Sequence, residues 1–244
     1  MKSWYKEWFE SQDYLKVYNH RDFEEAQKFS DLILSVTNIK KGSRILDAAC
    51  GSGRHAIYFA LKGYDVYGFD LSRNLLNIAK ENSMLFNTKL NLILADIRKI
   101  CFNSNFDLIL NLFTSFGYFE TDEENFSFIR RAYNFLNKNG YYVIDYFNKT
   151  YLENNLVPQS EKMIDDTKII EKRKIVEDRV IKEIIIKSNE SEKRYFESVK
   201  LYEPERIINE FKTTGYRLFK MWGDYDGHDF SKNVSPRIIL FFQK

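Results

Sequence analysis

Three aspartates and a glycine turn are spaced so that they could act on one ligand: Asp47, Gly51, Gly53, Asp70 and Asp96. In "DAACGSG" the glycines let the backbone come close to a ligand, and the helix that follows presents unpaired N–H groups. Asp47 comes just before the turn, where a diphosphate would be repelled and a cationic amine or sulfonium stabilised. Asp70, 17 residues after Gly53, ends "DVYGFD", where a carboxylate can accept from both hydroxyls of a ribose. Asp96, in "LILADI", can accept from an adenine amino group. Adding Ala56 to the glycines also gives G-x-G-x-x-A, a loose dinucleotide fingerprint, so an NAD-dependent oxidoreductase competes. Asp47 argues against it. A cationic ligand with an adenosine half suits all three acids, and that describes S-adenosylmethionine.

Such residues must be set at the carboxyl ends of parallel strands, the edge where open α/β sheets bind ligands. The sequence supplies them: "RILDAA", "DVYGFD", "NLILAD", "FDLILNLF" and "YYVIDYF" are near-continuous apolar runs, as expected of strands covered on both faces. Between them, Ser72 caps a helix over 73–86. Thr121 and Glu124 form a capping box for a helix over 122–138, ended by Gly140. The pattern is α/β, a Rossmann-like doubly wound sheet. Residues 1–38 precede it as a helical, aromatic-rich arm and lid. Residues 39–158 and 202–244 form the ligand-binding domain. From 159 to 201 the segments "MIDDTKIIEKRKIV", "RVIKEIIIK" and "EKRYFESVKLY" read as an antiparallel β insertion with one wet face. Pro204 and Gly215 bracket a further helix, and "YRLFKMWGDY" and "RIILFFQK" close the chain as strands.

The composition narrows the classes. The 244 residues are enough for a sizeable core, and 21 Phe with 16 Tyr argue against disorder. Basic side chains number 37 and acidic ones 35, evenly mixed, which leaves no electrostatic footprint for a nucleic acid or a membrane surface. Cys50 and Cys101 sit in or beside apolar segments, which fits a reducing cytoplasm better than a disulfide framework. The start of the chain has charges every few residues and reads as neither signal peptide nor membrane span. His20, His55 and His228 are scattered without ligand spacing, so no metal site is expected. Cys50, inside the turn, reads as a small loop residue and not as a nucleophile.

At "LDAACGSGRH", "VYGFDLS", "LADI" and "FDLILNLF" the sequence resembles class I S-adenosylmethionine-dependent methyltransferases, with Ala49 replacing the first glycine of that family's turn. "WYKEWFESQDYLKVYNHRD", "FTSFGYFE" and "SPR" extend the likeness to bacterial small-molecule-type methyltransferases over nearly the whole chain. The resemblance implies a seven-stranded sheet with an antiparallel last strand and a small antiparallel sheet over the active site. It also implies cofactor contacts at Asp47, Ala49, Gly51, Gly53, Asp70, Leu71, Asp96, Ile97 and Asn111. The arm would fold over the cofactor with Tyr18 or Arg21 near its methionine end. Methyl transfer from a sulfonium is an in-line displacement, which requires orientation and exclusion of water, and a general base only if the nucleophile arrives protonated. Candidates for the acceptor pocket are Tyr14, Tyr18, His20, Arg21, Phe116, Tyr118, Asn148, His228 and Arg237. The expected reaction is methylation of a small molecule at N or O. An RNA or protein methyltransferase, and a catalytically silent protein that binds S-adenosylmethionine and acts by interaction, stand as alternatives. Oligomeric state is open.

Overall fold

The computed structural model describes residues 3–18, 23–188 and 191–244. Two short helices, α1 (Trp4–Glu10) and α2 (Asp13–Val17), lead into α3 (Phe23–Thr37). Then β1 (Arg44–Ala48), α4 (Arg54–Leu61), β2 (Asp65–Asp70), α5 (Arg73–Leu85), β3 (Asn91–Leu94), β4 (Phe106–Asn111), α6 (Asp122–Ala132) and β5 (Leu136–Phe147) alternate along the chain. They are followed by α7 (Lys149–Asn155), strands β6 (Gln159–Ile164), β7 (Thr167–Val176), β8 (Arg179–Lys187) and β9 (Glu192–Lys200), helix α8 (Pro204–Thr214), and strands β10 (Arg217–Trp222) and β11 (Arg237–Gln243).

The large sheet has seven strands in the order β10-β11-β5-β4-β1-β2-β3, with β11 antiparallel to both its neighbours and the other pairings parallel. Order reverses between β1 and β4, so their carboxyl ends open a crevice. Adjacent residues of one strand point to opposite faces, and both faces are apolar. Leu46, Tyr142 and Ile238 pack with α6 and α8 on one side, while Ile45, Val143 and Ile239 pack with α3 and α4 on the other. The expectation of strands covered on both sides is met for β1, β2, β4 and β5 but not for β3, which lies at the sheet edge and leaves Ile93 and Leu94 exposed.

Ser72 caps α5 by accepting from the Leu75 N–H, and Thr121 caps α6 by accepting from the Glu124 N–H. The second helix is shorter than its sequence pattern suggests. It ends at Ala132, passes through a 3-10 turn over Tyr133–Phe135, and yields to β5 at Leu136. Leu136 is fully buried and pairs with Phe106, so the gain from joining the sheet outweighs continued helix. The covering sheet has four strands, β6-β7-β8-β9, all antiparallel. "MIDDTKIIEKRKIV" is not one strand: Asp165 adopts φ 51° and the chain turns back there, so β6 and β7 form a hairpin. The helix α7 was not marked by any periodicity. On one face of this sheet, Ile169, Ile184 and Ile186 pack against Trp8, Val17 and Tyr18 of the arm. Trp8 is fully enclosed, and burial of such a side chain stabilises by about 1.5–3 kcal/mol.

Candidate active site

The end of β1 and the start of α4 are joined by a turn in which Ala49, Gly51 and Gly53 have φ of 57°, 54° and 78°. The two glycines do different jobs. A Cβ on Gly51 would meet nothing within 4 Å, whereas one on Gly53 would lie 2.9 Å from the Ala79 Cβ of α5. Gly51 therefore leaves its side open, and Gly53 lets two helices approach. Ala49 carries the same left-handed backbone with a side chain, a strain of order 1–3 kcal/mol.

Asp70, at the end of β2, ties this turn to the next helix: its Oδ2 accepts from the Gly51 N–H (2.8 Å) and its Oδ1 from the Ser72 N–H (2.9 Å). Burial pushes its carboxyl above the usual range, against the opposing pull of these N–H groups. Asp47 is buried with Oδ2 unpartnered among the described residues. Burial first, then the nearby Asp70, raise its carboxyl to about 7, opposed by the Ala56 N–H and Arg54. Asp96 is held differently. Burial alone would raise it, but Arg98 grips both its oxygens (Nη2 to Oδ2 2.6 Å, Nε to Oδ1 3.1 Å) and keeps it below the usual carboxylate range. Asn111 is spent on structure, its Nδ2 donating to the carbonyls of Ala48 and Ser115.

After β4 the chain makes a tight corner, with Phe113 at φ 53° and Thr114 at φ 62°. A fully buried acid secures it. Asp145 of β5 accepts from the Phe113 N–H (2.8 Å), the Tyr225 hydroxyl (2.9 Å) and the Arg237 Nε (2.8 Å) and Nη2 (2.7 Å), and Arg237 Nη2 also reaches Thr114 Oγ1 (2.8 Å). The Arg237 guanidinium lies over the rings of Phe147 and Tyr225. Across the site, Glu197 of β9 stitches the arm to the covering sheet. It accepts from Trp8 Nε1 (2.8 Å), the Tyr18 hydroxyl (2.5 Å) and Lys182 Nζ (2.7 Å). Burial favours its neutral form, but Lys182 and these hydrogen bonds outweigh that and hold it ionised.

These features share one cavity of about 520 Å³, within the range of small-molecule sites. Its lining includes Asp47, Ala49, Gly51, Asp70, Leu71, Asp96, Ile97 and Asn111, and also Tyr14, Tyr18, Phe116, Tyr118 and Arg237. Gly53 is not on the wall. Nor is Asn148, which is buried and donates to the carbonyls of Lys232 and Ser235. His228 is exposed outside the cavity, paired to Asp224 at 2.8 Å. Asp224, Asp226 and His228 form the one group among the described residues whose spacing could hold a metal ion; Asp226 is already paired with Lys28. His20 and Arg21 lie outside the described residues. The Cys50 thiol is pushed well up by burial and by Asp47, and its sulfur packs where a Gly68 Cβ would be, which suits a small packing residue.

Sequence reasoning did not single out Asp145, Glu197, Lys182 or His55. Asp145 carried the signal used for the other acids, an aspartate near the end of an apolar strand. Glu197 and Lys182 face each other in register across β8 and β9, which no local pattern announces.

Residues 39–202 match the methyltransferase domain family. The chain is 32% identical over 100 residues to a dTDP-3-amino-3,4,6-trideoxy-alpha-D-glucopyranose N,N-dimethyltransferase of Streptomyces venezuelae, covering 41% of this chain and 40% of that one. It is 27% identical over 132 residues to a putative methyltransferase of a Geobacillus species, covering 54% and 53%. The chain thus spans about half the length, or less, of these curated relatives. Among solved structures, an S-adenosylmethionine-dependent methyltransferase from Clostridium acetobutylicum superposes with a TM-score of 0.81 at 20% identity, over 94% of this chain and 95% of that one. The CcbJ methyltransferase of Streptomyces caelestis gives 0.81 at 15% identity, over 96% and 97%. At such identities these two likenesses establish the fold.

Proposed function

Because the chain belongs to the methyltransferase domain family, whose methyl donor is S-adenosylmethionine, we propose that it methylates a small-molecule acceptor at nitrogen or oxygen. The observation that carries this reading is that the strand-end acids and the aromatic residues line the same cavity. Its wall holds the open glycine turn and three strand-end acids, and also Tyr14, Tyr18, Phe116 and Tyr118 from the arm and from the segment after β4. A cavity of this volume with aromatic walls suits a small acceptor better than a polymer. The name of the Streptomyces venezuelae relative, which acts on an amino sugar nucleotide, agrees with an amine acceptor.

The residues present fit the donor. Asp47, on the cavity wall with Oδ2 unpartnered among the described residues, supplies a carboxylate for a cation, Gly51 leaves room for close approach, and Asp70 is fixed at both oxygens where a ribose would meet it. When bound, S-adenosylmethionine supplies an electrophilic methyl group on a sulfonium. The protein then has to orient the acceptor and keep water out, and orientation of this kind contributes about 7–11 kcal/mol. Arg237 and Asp145 fix the corner at Phe113 and Thr114, and with it the wall that bears Phe116 and Tyr118. Glu197, through Trp8 and Tyr18, holds the arm against the covering sheet. Glu197 itself, saturated and ionised, is a poor proton acceptor.

Calorimetric titration with S-adenosylmethionine, S-adenosylhomocysteine and NAD, followed by a screen of amines, amino sugars, RNA and peptides for S-adenosylhomocysteine release, tests the reading. Turnover of a small amine or alcohol supports it. Turnover of polymer alone, or cofactor binding with no turnover of any acceptor, refutes it.

A further inference from the structure

The four-stranded sheet reaches the cavity through two neighbouring rungs of one face. One rung is apolar, with Val180 opposite Val199; the next sets Arg173 opposite Lys182 and Lys182 opposite Glu197. Two bases directly opposite each other repel, so such a rung needs an acid between them. Glu171 of β7 supplies it: its Oε2 accepts from Arg173 Nη2, and its Oε1 lies 3.6 Å from Lys182 Nζ. Glu171 does not line the cavity, and neither does Asp145, the partner of Arg237. Among the described residues, the wall supplied by this sheet and β11 therefore presents three bases, Arg173, Lys182 and Arg237, against one acid, Glu197. The rest of the wall has the reverse balance: Glu25, Asp47, Asp70, Asp96 and Glu124, with Arg54, which pairs with Glu25.

The three bases are not equally committed. Lys182 Nζ is shared among Glu197 (2.7 Å), the Tyr18 hydroxyl and Glu171. Arg237 is held by Asp145 and Thr114. Arg173 gives one N–H of Nη1 to Ser160 Oγ (2.9 Å) and one of Nη2 to Glu171, so its Nε–H and the second N–H of each terminal nitrogen go to no protein group among the described residues. Its side chain is 22% exposed and lines the cavity, so a ligand there can reach it. A planar guanidinium with open donors matches a planar carboxylate, two N–H groups to two oxygens. Glu171 and Glu197 already answer part of the charge of the two opposed bases, so a single negative charge suits this wall and a doubly charged group would be in excess. We propose that Arg173 sets acceptor specificity by binding a carboxylate carried by the small-molecule acceptor, with Val180 and Val199 of the next rung against the acceptor's carbon frame. The acids on the rest of the wall disfavour the reverse orientation. This rests on the small-molecule reading given above.

The test uses the full chain saturated with S-adenosylhomocysteine and pairs of compounds that differ only in a carboxylate or its amide: para-aminobenzoate and para-aminobenzamide, para-hydroxybenzoate and para-hydroxybenzamide, tyrosine and tyrosinamide. By calorimetry, at least one carboxylate should bind about tenfold or more tighter than its amide. Arg173→Gln should bring that ratio to within about twofold, and Arg173→Lys, which keeps the charge without the planar fork, should leave it in between. Taking the ratio within each variant cancels any loss of folded protein. No pair in which the carboxylate is preferred, or a preference that persists in Arg173→Gln, would overturn the proposal. In the acceptor screen, turnover of uncharged or purely cationic small molecules alone would also overturn it while leaving the small-molecule reading intact, whereas turnover of polymer alone would sink both. If the wild type does not bind S-adenosylhomocysteine, the donor assignment fails and the proposal falls with it.

Discussion

Asp47 should make cofactor affinity depend on pH in a way that one substitution removes. Its carboxyl is enclosed, unpartnered at Oδ2 among the described residues, and raised to about 7 by burial and by Asp70. In the free protein it is then about nine-tenths protonated at pH 6 and about nine-tenths ionised at pH 8. A ligand whose ammonium group meets Asp47 needs the ionised form, so S-adenosylhomocysteine, which keeps that group, should bind about tenfold more tightly at pH 8 than at pH 6, a difference of about 1.4 kcal/mol. Stability carries the opposite sign. A carboxyl whose folded pKa lies above its unfolded value contributes stability below the ordinary range near 3.8 and loses it as pH rises through about 7. Asp47→Asn should therefore bind S-adenosylhomocysteine weakly and with a flatter pH profile, yet unfold at pH 8 no more easily than the wild type. His55, held down to about 3, does not titrate in this window, and any contribution from Asp70 is retained in the variant. Calorimetric titrations at pH 6, 7 and 8, with urea unfolding at pH 8, read both effects. Wild-type affinity constant within twofold across that range, or the same slope in Asp47→Asn, would refute the reasoning.

Three further substitutions probe other parts of the site. Asp145→Asn should cost about 3–5 kcal/mol in urea unfolding, because it takes the buried counter-charge from the largely enclosed Arg237 guanidinium; adding Arg237→Gln should recover part of the loss. Asp70→Ala should weaken S-adenosylhomocysteine at least about tenfold by removing the ribose acceptor and freeing the Gly51 and Ser72 N–H groups, and unchanged affinity by calorimetry would show that the acid has no ligand role. Gly53→Ala should lower stability by about 1–3 kcal/mol, through its left-handed backbone and a contact with Ala79 at 2.9 Å, as read from the unfolding midpoint.

What was legible in the sequence follows from which forces act locally. Apolar runs ending in an acid, a glycine turn and helix caps are properties of a few neighbouring residues, and they put Asp47 and Asp70 at the carboxyl ends of parallel strands; the strand order is not local and is seen only in the fold. The length of α6 was misjudged because Leu136 is drawn into the sheet by pairing with Phe106, a contact thirty residues away in sequence that helix propensity does not register. The polar groups that complete the site are also non-local. Glu197 gathers Trp8, Tyr18 and Lys182 from three elements, and Asp145 gathers Phe113, Tyr225 and Arg237 from three others. Each of these acids is surrounded in sequence by ordinary strand residues, so burial and convergence single them out where spacing cannot. Local pattern therefore reaches the part of the cavity wall formed by the β1–α4 turn and the ends of β2 and β3, where we propose the donor binds. The rest of the wall is assembled from the arm, the corner after β4, the four-stranded sheet and β11, so the chemistry of the proposed acceptor has to be read from how those pieces meet.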